Sequence, residues 1–203
     1  LDRIAGPVDA LINSAGLPPR KGLAVRILAL NTLALRAFTE GMIPKLTPGG
    51  SIVHVASRAG SAWRDNLDQV RALLALPDAQ ALPAFVEAQG IDATRAYFLS
   101  KEAVLVLTLG QTEALLARDL RVNCVSPAAV ETGLLPDFMT AFGRRATDGL
   151  ARAGRAGSAE EVGRLIAFLA GPESGWIKGA DIPVDGGIAA MTLSDRLGLV
   201  DPI

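Results

Sequence analysis

Apolar residues fall along this chain in two alternating rhythms. Short runs with few polar interruptions stand at Val8–Ile12 (VDALI), Ser51–Ser57 (SIVHVAS), Arg121–Ser126 (RVNCVS) and Ile182–Val184 (IPV). Runs this brief, β-branched and bounded by turn residues read as strands covered on both faces. Between them the spacing lengthens to three and four. From Gly22 to about Leu46, the residues Val25, Leu28, Leu33, Leu35, Phe38 and Ile43 form a helical stripe, and Thr47-Pro48-Gly49-Gly50 supplies the breakers that end it. Thr94 to about Arg118 predicts a strong helix. Ser158-Ala159-Glu160-Glu161 reads as a capping box opening a helix to about Ala170. Residues from about Arg64 to Ile91 give two weaker amphipathic segments split at Leu76-Pro77-Asp78, with Asp78 able to cap the second and Gly90 to end it.

Strand and helix in alternation predict an α/β class: a Rossmann-like, doubly wound parallel sheet with right-handed crossovers. The expectation is one domain over 1–203 with a helical insertion at about 64–91.

Composition narrows the function. With 203 residues, 50% hydrophobic and 20% charged, the chain has enough interior for a core. Twenty Lys and Arg against twenty-one Asp and Glu leave no electrostatic footprint for nucleic acid or an anionic membrane. A single Cys124 and a single His54 give neither a disulfide nor a His/Cys cluster, so no metal site is expected. Both residues lie in strand-like runs and read as packed core. No apolar run reaches the ~18 residues of a membrane span, and Leu1 opens without a signal-peptide pattern. The expected compartment is the cytoplasm.

One spacing carries chemistry. Tyr97 and Lys101 are four apart on a predicted helix, which stacks them on one face. At about 4 Å and an effective dielectric near 20, the ammonium would favour the phenolate by roughly 4 kcal/mol, about three pK units. That makes a phenolate accessible near neutral pH, suited to exchanging a proton with an alcohol or carbonyl as a hydride moves. Such pairs also occur on exposed helices, so the surroundings decide.

Those surroundings resemble the short-chain dehydrogenase/reductase family in several motifs, in the family's order. Asn13-Ser14-Ala15-Gly16 resembles its Asn-Asn-Ala-Gly turn, Val53–Gly60 (VHVASRAG) its serine strand, and Tyr97–Lys101 its active-site helix. Ser126–Thr132 (SPAAVET) is similar to its nicotinamide loop, and Asp181–Gly187 (DIPVDGG) to its last strand and turn. The resemblance covers Val8 to about Gly187. It implies that Tyr97 is the acid/base, that Lys101 tunes it and bonds the ribose, and that Ser57 polarises the substrate oxygen. Asn31 would hold a water linking Lys101 to solvent. It further implies Asn13, Ala15 and Gly16 beside the adenosine half of the coenzyme, and Pro127, Val130 and Thr132 beside the nicotinamide, with Tyr97 and Lys101 shared. Trp63 follows the serine strand and is expected to line the substrate pocket with Ser57, or else to pack at its rim. Trp176 is expected at a subunit interface.

Two departures stand out. No two of the twenty-one glycines are two positions apart, so the family's glycine-rich phosphate turn is missing, and two βαβ units of a longer parent are expected before Val8. Ala128 replaces the usual Gly after Pro127, which is expected to crowd that loop. Ser57 and Tyr97 are forty apart (97 minus 57), and the insertion that fills the gap resembles a subgroup holding bacterial 3α-hydroxysteroid dehydrogenase/carbonyl reductases and coniferyl-alcohol dehydrogenases. It would serve as a substrate lid or a dimer surface. The implied enzyme interconverts an alcohol and its ketone or aldehyde with NAD or NADP, NAD being the subgroup's coenzyme, and works as a homodimer or homotetramer. The open alternatives are a non-catalytic scaffold subunit of the same fold, and epimerisation or dehydration on the same Tyr97/Lys101 pair.

Overall fold

The structure is a computed structural model that describes Ile4 and residues 6–199. Four parallel strands form its sheet, β1 (Val8–Asn13), β2 (Leu46–Val55), β3 (Arg121–Pro127) and a final strand, β6 (Asp181–Val184), side by side in that order. Between β3 and β6 the chain adds a two-strand ladder of β4 (Val130–Glu131) and β5 (Gly157–Ser158). Among the described residues β1 pairs only with β2, so its outer side is an edge.

β2 starts five residues earlier than its sequence predicts. Val8 pairs with Leu46, but Ala10 already pairs with Ser51, so Thr47–Gly50 is looped out as a bulge within the strand. Gly49 makes this feasible: its φ is +77° and its N–H donates to the Asp119 carbonyl at 2.7 Å.

Helices cover both faces. On one, α1 (Ala24–Leu28), α2 (Leu35–Met42) and the long α5 (Ala93–Leu116) bury Met42 and Leu115 against Leu11, Ile52 and Val122. On the other, α8 (Ala159–Ala170) sets Val162 and Leu169 against Val53 and Val125. The capping box of α8 is present in both directions, Ser158 Oγ accepting from Glu161 N and the Glu161 carboxylate accepting from Ser158 N. α1 and α2 are one continuous rod whose middle, Ala29–Ala34, widens into a π-helix around Asn31.

The insertion forms α3 (Leu67–Leu74) and α4 (Leu82–Ala88), with Asp78 capping the turn ahead of α4 as its sequence predicts. Its apolar side chains do not form a lid. Val70, Leu73 and Leu82 are fully buried in the cluster that holds Ile27, Leu28, Ala96 and Leu99. The buried Glu102 accepts from Arg95 at 3.0 and 2.6 Å and from Asn66 at 2.8 Å, tying this pair to α5.

Three further helices carry no expectation from the periodicity above: α6 (Leu135–Phe142), α7 (Arg144–Ala153) and α9 (Ile188–Leu197). Gly143, at φ +51°, kinks the chain between the first two. Trp176 is 94% exposed. Among the described residues no helix is long and apolar enough to cross a membrane.

Candidate active site

Loops that follow the carboxyl ends of β1, β2 and β3 converge on one cavity of about 790 Å³. This is the edge of a parallel sheet where ligands are bound, because strand-end loops and helix N-termini present free polar groups there. Ser14, Gly16 and Leu17 enter from β1, Val55 to Ala59 from β2, and Pro127 to Val130 with Thr132 from β3. Tyr97 and Lys101 reach it from α5, one turn apart as the sequence predicts.

Ser57 sits just past β2 as the cap of a short 3₁₀ turn. Its hydroxyl accepts from Ala59 N at 3.1 Å and donates to the Pro127 carbonyl at 3.4 Å. The turn is pressed against α5: a Cβ on Gly60 would come within 2.8 Å of the Lys101 backbone, so a larger residue would push the serine away from the helix. Lys101 Nζ donates to the Val55 carbonyl at 2.8 Å and lies 5.7 Å from the centre of the Tyr97 ring.

Burial dominates the electrostatics. It pushes the Tyr97 phenol up to about 12, opposed only by the neighbouring Ser57 hydroxyl, and it pulls the Lys101 ammonium down to about 8. The expectation of a phenolate near neutral pH is therefore corrected for this state of the protein. One of the ammonium's three N–H groups is taken by the Val55 carbonyl, and the phenol's loss of hydration sets the direction of its shift.

Other sequence-selected residues divide. Gly16, Pro127, Val130 and Thr132 line the cavity. Asn13, Ala15 and Trp63 do not. Asn13 is buried on the helix-covered side of β1, where its amide donates to Thr39 Oγ1 at 2.9 Å and meets His54 Nδ1 at 3.0 Å. Trp63 turns away to pack with Leu35, Ala56 and Leu105, with Arg64 stacked on its ring at 4.3 Å. Asn31 is buried behind the cavity. Its Oδ1 accepts from Leu17 N at 2.8 Å, and its Nδ2 donates to the Leu17 carbonyl at 3.1 Å and to Ser100 Oγ at 3.3 Å. It therefore grips the loop that forms the cavity wall. Ala128 causes no crowding, since its backbone stays out of the left-handed region and its N–H donates to Val184 O at 3.2 Å.

Cys124 and His54 are core residues as expected, with burial raising the thiol and lowering the imidazole to about 4.

The opposite wall comes from α6 and α7. Leu135, Phe138, Met139 and Phe142 face inward, and the Phe138 and Phe142 rings stand 5.2 and 6.0 Å from that of Tyr97. No role was assigned to these residues from the sequence, although their i, i+3, i+4, i+7 spacing is an amphipathic signal. Arg58, beside Ser57, pairs at 3.0 Å with Asp185, whose carboxylate also accepts from Gly187 N and Ala189 N and so caps α9.

The residues present fit the nicotinamide end of a dinucleotide. Two hydroxyls, an amine and the backbone of the loop after β3 converge beside a largely apolar wall, a donor set suited to a ribose and a carboxamide. Among the described residues no two glycines are two positions apart, the spacing that would let the backbone cradle its phosphates.

The chain is similar to several known proteins. The sequence profile of the family described as enoyl-(acyl carrier protein) reductase matches residues 82–189. Coniferyl-alcohol dehydrogenase from a Pseudomonas species is 33% identical over 192 residues, covering 94% of this chain and 75% of that protein. The 3-alpha-hydroxysteroid dehydrogenase/carbonyl reductase of Comamonas testosteroni is 27% identical over 190 residues, covering 91% and 74%. Among solved structures, 3-alpha-hydroxysteroid dehydrogenase from Pseudomonas sp. B-0831, complexed with NADH, superposes with a TM-score of 0.80 at 31% identity, covering 94% of this chain and 76% of that one.

Proposed function

The chain belongs to the short-chain dehydrogenase/reductase family of NAD(P)-dependent oxidoreductases acting on CH–OH groups, and from that premise we propose that it interconverts an apolar secondary or benzylic alcohol and its carbonyl with Tyr97 as the proton-transferring group. The observation that carries this reading is the convergence of Tyr97, Ser57 and Lys101 in one cavity whose far wall is aromatic and aliphatic. When bound, the nicotinamide supplies the acceptor or donor of the hydride. Lys101 and the loop Pro127–Thr132 would hold it.

The protein's own part is proton transfer and orientation. In oxidation Tyr97 Oη, once it has lost its own proton, takes the proton of the alcohol, and in reduction the phenol gives its proton to the carbonyl oxygen. Ser57 Oγ, only weakly engaged with Pro127, is free to donate to that same oxygen. Lys101, while protonated, favours the phenolate that forms. Phe138 and Phe142 exclude water from around the phenol, which strengthens each of these interactions. NAD is the coenzyme we favour, on the similarity to the NADH-bound hydroxysteroid dehydrogenase.

Replacing Tyr97 with Phe tests the reading. The ring and its packing survive while the proton path is lost, so turnover of aryl-allylic and hydroxysteroid alcohols should fall by at least about 10²-fold. Wild-type rates in the variant, followed as NADH formation, would overturn it.

A further inference from the structure

Helix α6 carries the rings of Phe138 and Phe142, which pack beside Tyr97 at the edge of the main core cluster. None of the helix's residues is buried, and behind it lies a second, open cavity of about 760 Å³ bounded by Val25, Val86, Ile91 and Thr140. Across that gap runs a two-point ion pair. Arg20 Nε and Nη2 donate to Asp137 Oδ1 and Oδ2 at 3.0 and 2.8 Å, a forked geometry that fixes orientation as well as distance. Asp137 directly precedes Phe138, whose ring is 5.2 Å from the reacting phenol.

The other end of the pair is firmly founded. Arg20 follows Pro18 and Pro19, its N–H donates to the Pro18 carbonyl at 2.9 Å, and Leu17 before them is held at both its N–H and its carbonyl by the buried Asn31. A strut thus runs from the π-helical turn through the β1 loop to α6. Each partner stabilises the charge of the other, raising the guanidinium and lowering the carboxyl.

We propose that Arg20 is a positioning residue: through Asp137 it seats α6, and with it Phe138, over Tyr97, so that an ion pair outside the cavity sets how closely the substrate is enclosed. The role in turnover rests on the reading of Tyr97 given above, whereas the seating of α6 does not. An exposed pair of this kind contributes little to global stability, so its loss belongs in substrate binding and in the local motion of α6, not in folding.

The test compares Arg20→Ala, Asp137→Ala and the exchanged pair Arg20→Asp with Asp137→Arg in the full chain. Each single variant should raise KM for the alcohol about two- to five-fold with kcat within two-fold, a range matching one exposed ion pair. Amide hydrogen exchange should accelerate by a similar factor at residues 138–142 and stay unchanged in α5. The exchanged pair should recover both. Salt should raise KM in the parent chain and not in the single variants. Unchanged exchange in α6 of the single variants, or no recovery in the exchanged pair, overturns the proposal. Exchange requires no turnover, so the strut is judged by α6 whether or not the chain is active, while the role of Tyr97 is judged by Tyr97→Phe. Activity lost in Tyr97→Phe, with KM and exchange unmoved in Arg20→Ala, refutes the strut and leaves Tyr97 standing.

Discussion

At Tyr97 and Lys101 burial acts in opposite electrical senses and disfavours charge on both. Lys101 keeps its proton up to about pH 8, while the phenol holds its own to about 12. Carbonyl reduction needs a protonated phenol beside a cationic amine, a combination available below about pH 8 and lost above it as the ammonium deprotonates. Initial rates of reduction, as kcat/KM, should therefore be level through neutrality and decline above about pH 8, while alcohol oxidation rises with pH. A reduction profile still level at pH 9.5 would remove Lys101 from the titration. The Tyr–Lys pairing itself was legible from spacing, because a helix fixes which residues are neighbours. The direction of the phenol's shift was not. It depends on how much water each group loses and on where the amine's hydrogen bond goes, here to Val55, and neither is written in a five-residue motif.

At the scale of elements, the insertion helices illustrate what pattern does and does not reveal. Their positions, the break at Leu76-Pro77-Asp78 and the cap at Asp78 follow from local chemistry, and so do the four main strands and the box at Ser158. What lies under an amphipathic face cannot be read from that face, and the reading of α3 and α4 as a lid is corrected by Val70, Leu73 and Leu82 in the core. Leu73→Ala should cost about 3 kcal/mol through the void it leaves, seen as a lower Tm, with KM within about two-fold because no residue of α3 or α4 lines the cavity. A raised KM without loss of stability would restore the lid. The elements that do enclose the site, α6 and α7, are not legible as a cavity wall, because the subgroup resemblance around Leu134–Phe142 implies no role for them and Gly143 interrupts their period. Asn13 and Trp63 lie outside the cavity for a related reason: proximity in sequence to a strand end does not say where a side chain packs, and Asn13 meets Thr39 and His54 while Trp63 takes the core contact that was its alternative.

Over the whole molecule, acid should weaken the fold through His54. Desolvation, and secondarily the Lys101 charge, hold this fully buried imidazole neutral down to about pH 4, whereas an unfolded chain protonates it near 6.5. Stability from this group is intact above 6.5 and is lost as pH falls from there to 4, a total of about 3 kcal/mol. Denaturant unfolding at stepped pH should show that slope in the parent chain, and His54→Gln should flatten it whatever its cost at pH 7.

The outer rim of β1 has a consequence of a different kind. Its backbone amides and carbonyls on that side meet no strand among the described residues, and Ile12 beside them is 45% exposed. Such a rim is a row of main-chain donors and acceptors that a strand of matching register can satisfy, so the sheet is extendable on the β1 side, and whatever pairs there inherits its register from six residues.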